Sequence, residues 1–126
     1  MFGAAYNDIE VDLENGTPKT TSIQSPKWNL TGLVRYEIPV GPGRVTRQYD
    51  IQHRSKHYFA LTRLPTVTQK FYEVSNISVG WLDAEDRWMV TGFVNNLSDE
   101  EYLVQTFDLS GPSVFGMTEQ SYGRPR

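Results

Sequence analysis

Apolar side chains recur at every second position over residues 28–38, and this alternation constrains the fold more than any other feature of the sequence. One set of alternate positions is apolar or small, and the other set is mostly polar. The first set is Trp28, Leu30, Gly32, Val34, Tyr36 and Ile38, and the second is Asn29, Thr31, Leu33, Arg35 and Glu37. A period of two predicts a β-strand whose two faces have different surroundings.

The same alternation recurs in other segments of the chain. Short turns and longer loops, recognised by their composition, separate these segments. We predict strands over residues 2–14, 26–39, 44–54, 70–82 and 88–95. Short turns over 40–43 and 83–87 predict antiparallel hairpins, while longer loops cover 15–25, 55–69 and 103–121. Asn15, Gly16 and Pro18 are strong turn formers, and they are expected to stop the first strand. The predicted fold is all-β, an antiparallel meander of about five strands.

Composition narrows the class of protein. The chain has 126 residues, a net charge of −3 and no cysteine. Disulfide frameworks, cysteine metal sites and thiol catalysis are therefore excluded. The absence of a basic block argues against a nucleic-acid-binding protein. No run of about 18 apolar residues is present, so no membrane helix is expected.

Two motifs near the carboxyl end have a specific order and spacing. The stretch WMVTGFVNNLSDEEY, residues 88–102, contains an N-L-x-D-x-x-Y pattern formed by Asn96, Leu97, Asp99 and Tyr102. About twenty residues later a G-x-P-R pattern is formed by Gly123, Pro125 and Arg126. This pair resembles the closing segment of TonB-dependent outer-membrane receptors. There, an outer loop separates the first motif from the second, which opens the last barrel strand. The sequence Ser25-Pro26-Lys27-Trp28 is similar to that family's entry into a strand after an outer loop.

The resemblance implies a fold, a location and a function. Residues 1–126 would be an incomplete carboxyl-terminal part of a transmembrane β-barrel of about twenty-two strands in the bacterial outer membrane. The parent protein would take up a ferric siderophore or a similarly large nutrient. Its partners would be outer-membrane lipid, a plug domain and the TonB energy-coupling complex. We expect the signal peptide, the plug and the final strand to lie outside this chain, which is not expected to transport anything alone.

Polar side chains on the predicted inner face are the best candidates for ligand contacts. They are Arg35, Gln48, Asp50, Gln52 and Arg54. Arginine suits this role because its guanidinium can bind an anion through two hydrogen bonds. Aromatic residues in the long loops are further candidates from their position, namely Tyr58, Phe59, Phe107 and Phe115.

A second interpretation remains open, because a soluble antiparallel sheet alternates in the same way. In that case the chain would be a β-sandwich or small barrel that binds a ligand or a protein. No catalytic, cofactor or metal site is predicted in either case. The acids Asp8, Glu10, Asp12 and Glu14 are about 7 Å apart along a strand, too far for neighbours to chelate an ion unaided. His53 and His57 have helical zinc spacing in a region without helical character, and we expect them in a solvated loop.

Overall fold

A computed structural model of the chain describes residues 1–12, 19–111 and 115–126, and this part is built almost wholly of β-strands. In chain order the strands are β1 (Phe2–Tyr6), β2 (Glu10–Val11), β3 (Thr20–Thr21), β4 (Trp28–Val40), β5 (Gly43–Arg54), β6 (His57–Tyr58), β7 (Thr68–Gln69), β8 (Tyr72–Leu82), β9 (Met89–Val94), β10 (Leu103–Leu109) and β11 (Met117–Tyr122). A 3-10 turn, Pro65–Val67, precedes β7. No helix in the described part of the chain has the length and hydropathy needed to cross a membrane.

Five strands form one antiparallel sheet in the order β1-β4-β5-β8-β9. This confirms the predicted meander. The β4–β5 hairpin pairs Val40 with Gly43 across a two-residue turn, where Gly41 has a φ of +59° that favours glycine. The pairing of β4 with β5 covers twelve successive residues of β5, so the register of this hairpin is uninterrupted.

The register gives the sheet two chemically different faces. Val34, Tyr49, Ile77 and Val94 lie in one row across four strands. Towards the short turns, the next rows on the same face are Tyr36, Arg47, Val79 and Gly92, then Ile38, Val45, Trp81 and Val90. Towards the other end, they are Gly32, Ile51 and Ser75, then Leu30, His53 and Glu73, then Trp28 with Tyr6. We call this surface the apolar face. The opposite polar face carries Asn29, Thr31, Arg35, Gln48, Asp50, Gln52, Arg54, Asn76 and Ser78.

Little of the main sheet is covered by other parts of the described chain. Val34 is 69% exposed, Val90 is 66% exposed and Val79 is 46% exposed, although all three lie on the apolar face. The two edge strands, β1 and β9, each pair on one side only within the described residues. The sheet is therefore open, and its apolar face has no partner among these residues.

The buried apolar side chains lie in a cap at one end of the polar face. Phe59, Val67 and Leu103 pack together there, with Ala60 against them. The cap is formed by the β6–β7 pair, the 3-10 turn and the start of β10. It stands at the end of the sheet opposite the two short turns.

Two of the predicted element boundaries are wrong. The strand predicted over residues 2–14 ends at Tyr6, because Asp8 turns to bind Lys27 Nζ at 2.8 Å and the chain leaves the sheet. Glu10–Val11 then pairs with Thr20–Thr21 as a separate ribbon. The loop predicted over 103–121 contains the β10–β11 hairpin, since Leu103–Leu109 and Met117–Tyr122 pair with each other. The turn predicted at residues 15–18 and the strand end at residues 13–14 lie outside the described residues.

Candidate functional site

The N-L-x-D-x-x-Y motif forms a tight structure directly after β9. Asn96 is only 3% exposed and has a φ of 51°, a left-handed conformation that asparagine tolerates better than most residues. Its side-chain Oδ1 accepts the backbone N–H of Glu100 at 2.9 Å, and its Nδ2 donates to the Glu100 carbonyl at 2.9 Å. The side chain of Asn96 therefore closes the turn through two hydrogen bonds to the main chain of Glu100. The Nδ2 group can donate one further hydrogen bond, which is available to the second motif.

The G-x-P-R motif meets the first motif through three contacts. Asn96 Nδ2 donates to the Arg124 carbonyl at 3.2 Å, and the Arg126 N–H donates to Asp99 Oδ1 at 3.1 Å. The Gly123 N–H donates to the Tyr102 carbonyl at 2.8 Å. A Cβ atom at Gly123 would overlap the Tyr102 ring, so only glycine fits this position without movement.

The structure thus brings together five of the seven motif positions, namely Asn96, Asp99, Tyr102, Gly123 and Arg126. We call the two motifs together, residues 96–102 and 123–126, the closing motif. The side chain of Leu97 is 41% exposed, although its backbone N–H donates to the Ser75 carbonyl of β8 at 2.8 Å. Pro125 is also exposed. These two motif positions are therefore not explained by packing within the described residues.

All five predicted inner-face residues lie on the polar face. Arg35 and Gln48 are directly opposite each other between β4 and β5. Arg35 is held by Glu37 at 2.7 Å, and Asp50 accepts a hydrogen bond from Asn76 Nδ2 at 2.6 Å. Because Asn76 Oδ1 in turn accepts the Asn96 N–H at 2.9 Å, Asp50 is connected to the closing motif through one side chain.

Gln52 and Arg54 line a cavity of about 360 Å³ between the polar face and the cap. The remaining lining residues come from β8, from the segment that precedes β4, and from the cap and the start of β10, and they are Gln24, Pro26, His57, Phe59, Tyr72, Val74, Tyr102, Leu103 and Val104. The rings of Tyr72 and Tyr102 stack at 4.6 Å with an interplanar angle of 9°. Because Tyr102 also packs against Gly123, the cavity wall and the closing motif share one side chain.

The expectation that His53 and His57 lie in a solvated loop is wrong. His57 is 5% exposed, and His53 lies within β5. The pairing of β6 with β7 buries His57 and brings its ring centroid to 5.3 Å from that of Phe59, a predicted ligand contact that belongs to the cap. His53 lies on the apolar face, where its Nδ1 is 2.9 Å from Glu73 Oε1, and the two histidines thus have separate surroundings. Tyr58 is only half-buried, with Lys56 at 5.1 Å and Arg63 at 5.4 Å from its ring centroid.

Burial determines the charge of His57. It lowers the pKa of the imidazole, although the hydrogen bond between Nδ1 and the Ser55 carbonyl opposes this effect. The positive charge of nearby Arg54 adds to the lowering of the pKa. His57 is therefore neutral at neutral pH, and Arg54 carries the charge of the cavity.

Of the four acids predicted on one face of the first segment, Asp8 binds Lys27 and accepts a hydrogen bond from the Tyr6 hydroxyl. Lys27 binds Asp8 and holds the pKa of that carboxyl below its ordinary value. Glu10 and Asp12 are exposed, and Glu14 lies outside the described residues. Among residues 1–12, 19–111 and 115–126, no group of three histidine, cysteine or acidic side chains is placed to hold a metal ion.

A comparison of the chain with known protein families, with curated proteins and with solved structures gives no significant match. The resemblance to outer-membrane receptors rests on the motif residues, on their order and on their spacing.

Proposed function

We propose that this chain is a wall segment of the β-barrel of a TonB-dependent outer-membrane receptor. The parent protein would take up a ferric siderophore or a similarly large nutrient with energy supplied through the TonB complex. The proposal rests mainly on one observation: the pairing of the five strands places their apolar side chains on one face of the sheet, and this face is exposed. The closing motif and the distribution of aromatic side chains support the same function.

Many large apolar side chains are exposed on the apolar face, which favours lipid as its surroundings. Soluble monomers rarely expose contiguous apolar patches beyond a few hundred Å². Here the exposed large apolar residues of this face are Phe2, Tyr6, Trp28, Val34, Tyr36, Tyr49, Ile77, Val79, Val90 and Val94. By contrast, the buried apolar residues of the described chain are Phe59, Val67, Tyr72 and Leu103. Lipid acyl chains would cover this face without any backbone group left unpaired inside the sheet.

The aromatic and charged side chains lie where a membrane strand needs them. Trp28 and Tyr6 contact each other at the capped end of the apolar face, with ring centroids 4.8 Å apart. Trp81 lies near the opposite end, beside the short turns. Such rings prefer the boundary between lipid and water. Arg47 is the one arginine of the apolar face in β5, four residues from the Gly43 turn, and its long side chain can extend to that boundary.

The three central strands of the sheet, β4, β5 and β8, have the length that a membrane crossing needs, whereas the edge strands β1 and β9 have five and six residues. β4 has 13 residues and β8 has 11. At a rise of about 3.3 Å per residue, a tilted strand of this length crosses a hydrocarbon layer. The turns at one end are short and the connections at the other end are long, an asymmetry typical of outer-membrane barrels, whose outer loops are the longer ones.

The contacts between the two motifs support the resemblance to this receptor family. Asp99 contacts Arg126 and Tyr102 contacts Gly123, which are pattern positions of both motifs, and Asn96 contacts the main chain of Arg124 between them. Arg126 is held beside the end of β9, the edge strand of the sheet. In this proposal, further barrel strands pair with β1 and β9, and a plug domain faces the polar surface.

Intrinsic fluorescence tests the membrane part of the proposal without any substitution. The chain is folded into vesicles of phosphatidylcholine, with and without bromine on the acyl chains. Because Trp28 and Trp81, two of the three tryptophans, lie on the apolar face, we expect brominated lipid to quench a large part of the emission. A water-soluble monomer whose emission does not respond to brominated lipid would contradict the proposal and indicate a soluble binding module.

Uptake tests the receptor part separately. The gene that encodes the chain is disrupted in its own cell, and accumulation of radioactive iron is measured for a panel of ferric siderophores. We expect the uptake of at least one of them to be lost, and the same loss when TonB is removed. Unchanged uptake across the panel would contradict iron transport while leaving the membrane location untouched.

A further inference from the structure

The cavity beneath the cap has a lining that carries one formal charge. Arg54 is the only acidic or basic side chain among its lining residues, since His57 is neutral at neutral pH. None of the ion pairs formed within residues 1–12, 19–111 and 115–126 includes Arg54. An unbalanced positive charge in a partly buried cavity favours an anion as its occupant.

Arg54 also has an unused hydrogen-bond donor. Its Nε is buried and has no acceptor, which is unusual because buried polar groups are nearly always paired. Asn29 lies directly across from Arg54 in the β4–β5 register, and its Oδ1 is likewise buried without a donor. The two side chains are thus neighbours that do not satisfy each other. A carboxylate placed against Arg54 would accept from Nε and from the terminal nitrogens in the two-bond geometry that guanidinium favours.

The aromatic wall indicates the shape of the rest of the ligand. Tyr72 and Tyr102 present a stacked pair of rings, and Phe59 and Leu103 close the apolar side. Flat apolar groups pack well on such walls. A volume of about 360 Å³ is near the lower end for small-molecule sites, which suits a ligand built on one ring. The amides of Gln24 and Gln52 provide further polar groups that can fix its orientation.

We propose that this cavity binds a small planar monoanion, an aromatic carboxylate whose carboxylate group pairs with Arg54 and whose ring lies against Tyr72 and Tyr102. The inference rests on the cavity alone. It stands whether the sheet lies in a membrane or in water, and its failure would leave the proposed function unchanged.

Benzoate and benzamide test the charge requirement on the unmodified chain. The full chain is folded in detergent micelles, and binding of each compound is measured by isothermal titration calorimetry, with empty micelles as the blank. We expect benzoate to bind at least tenfold more tightly than benzamide, because benzamide has the same shape without the negative charge. Equal affinities, or no binding of either compound, would overturn the proposal.

Substitution of Arg54 tests the residue. We expect Arg54→Gln to weaken benzoate binding at least tenfold, and Arg54→Lys to weaken it less, because lysine keeps the charge but loses the two-bond geometry. The matched control is Arg47→Gln, which removes the same charge from the opposite face of β5 and should leave binding unchanged. Far-ultraviolet circular dichroism checks that each variant keeps its sheet. Wild-type affinity in folded Arg54→Gln would overturn the proposal, and if that variant does not fold, the comparison of benzoate with benzamide decides.

Discussion

The side-chain amide of Asn96 donates a hydrogen bond to the main-chain carbonyl of Arg124, 28 residues further along the chain. The same amide group donates to the Glu100 carbonyl, and its oxygen accepts the Glu100 N–H. The buried side chain of Asn96 therefore closes the turn at Glu100 and also holds Arg124, at the other end of the segment that contains β10 and β11. This relationship explains why two short motifs separated by the β10–β11 hairpin form a single structural unit.

Replacement of Asn96 by aspartate should destabilise this unit. Asn96→Asp removes the donors to Glu100 and Arg124 and places a carboxylate against both carbonyl oxygens. We expect the free energy of unfolding to fall by about 1–3 kcal/mol, the cost of leaving buried groups unpaired. Urea unfolding in detergent measures the change. The neighbouring Asn95→Asp, at an exposed position, serves as the control and should change stability by less than about 0.5 kcal/mol. Equal losses in both variants would count against the role of the Asn96 side chain.

Replacement of Gly123 by alanine should disturb the contact between the second motif and Tyr102. The added methyl group would overlap the Tyr102 ring, which cannot move away freely because it stacks on Tyr72. We expect a loss of about 1–3 kcal/mol in the free energy of unfolding, as for other overpacked sites. Gly92→Ala is the matched control, because nothing lies within 4 Å of the position its Cβ would take. Near-ultraviolet circular dichroism should change for Gly123→Ala and stay constant for the control. The packing argument fails if both variants behave alike.

A charge placed on each face of β8 should have different consequences in a bilayer. Ile77 lies on the apolar face in the middle of the sheet, and Ser78 lies next to it on the polar face. We expect Ile77→Arg to lower the stability of the vesicle-inserted chain by about 2–4 kcal/mol, the cost of an arginine at the lipid midplane. Ser78→Arg should cost less than about 1 kcal/mol because its side chain faces away from lipid. Urea unfolding from vesicles compares the two. A larger loss for Ser78→Arg would mean that the faces are assigned the wrong way round.

The stability of the cap should decrease in mild acid. Burial lowers the pKa of His57 in the folded chain, whereas an exposed histidine in the unfolded chain titrates near about 6.5. The unfolded state then binds more protons below that pH, so stability is full above about pH 6.5 and falls as the pH drops towards the folded-state pKa. Asp8 and Asp108, whose pKa values are lowered by Lys27 and Ser110 respectively, titrate well below this window.

Urea unfolding at pH 8, 7 and 6 measures this pH dependence, and His57→Gln should make it shallower. An unchanged slope in His57→Gln would show that other groups cause the pH dependence, and stability that rises on acidification would contradict the burial argument.

The main sheet was predictable because its strands are long and each has two different faces. The alternation of Trp28, Leu30 and Val34 on β4 is repeated on β5 and β8, and short turns fix their antiparallel order. Hairpin register then follows from the turns, so the grouping of Arg35, Gln48 and Arg54 on one face also followed from the sequence. The alternation of side chains was sufficient to predict the fold wherever strands that follow one another in the sequence also pair in the sheet.

The cap and the cavity could not be predicted in the same way. β6 and β7 have two residues each, too short for a period to be visible. The burial of His57 and Phe59 therefore gave no signal in a stretch that mixes apolar and polar residues. The β10–β11 hairpin was missed because glycine, serine and proline are common in the segment that contains it. The stacking of Tyr72 on Tyr102 joins residues from two separate elements, which no local pattern indicates.

The most direct test of the central claim measures which face of the sheet contacts lipid. The chain has no cysteine, so single cysteines can be introduced one at a time at residues 75–81 of β8 and spin-labelled. Collision with oxygen, which partitions into lipid, is compared with collision with a water-soluble nickel chelate in reconstituted vesicles. We predict that oxygen accessibility peaks at positions 77, 79 and 81 and that nickel accessibility peaks at 76, 78 and 80, with a period of two. Labels that are equally accessible to the nickel chelate on both faces would contradict a lipid-facing sheet.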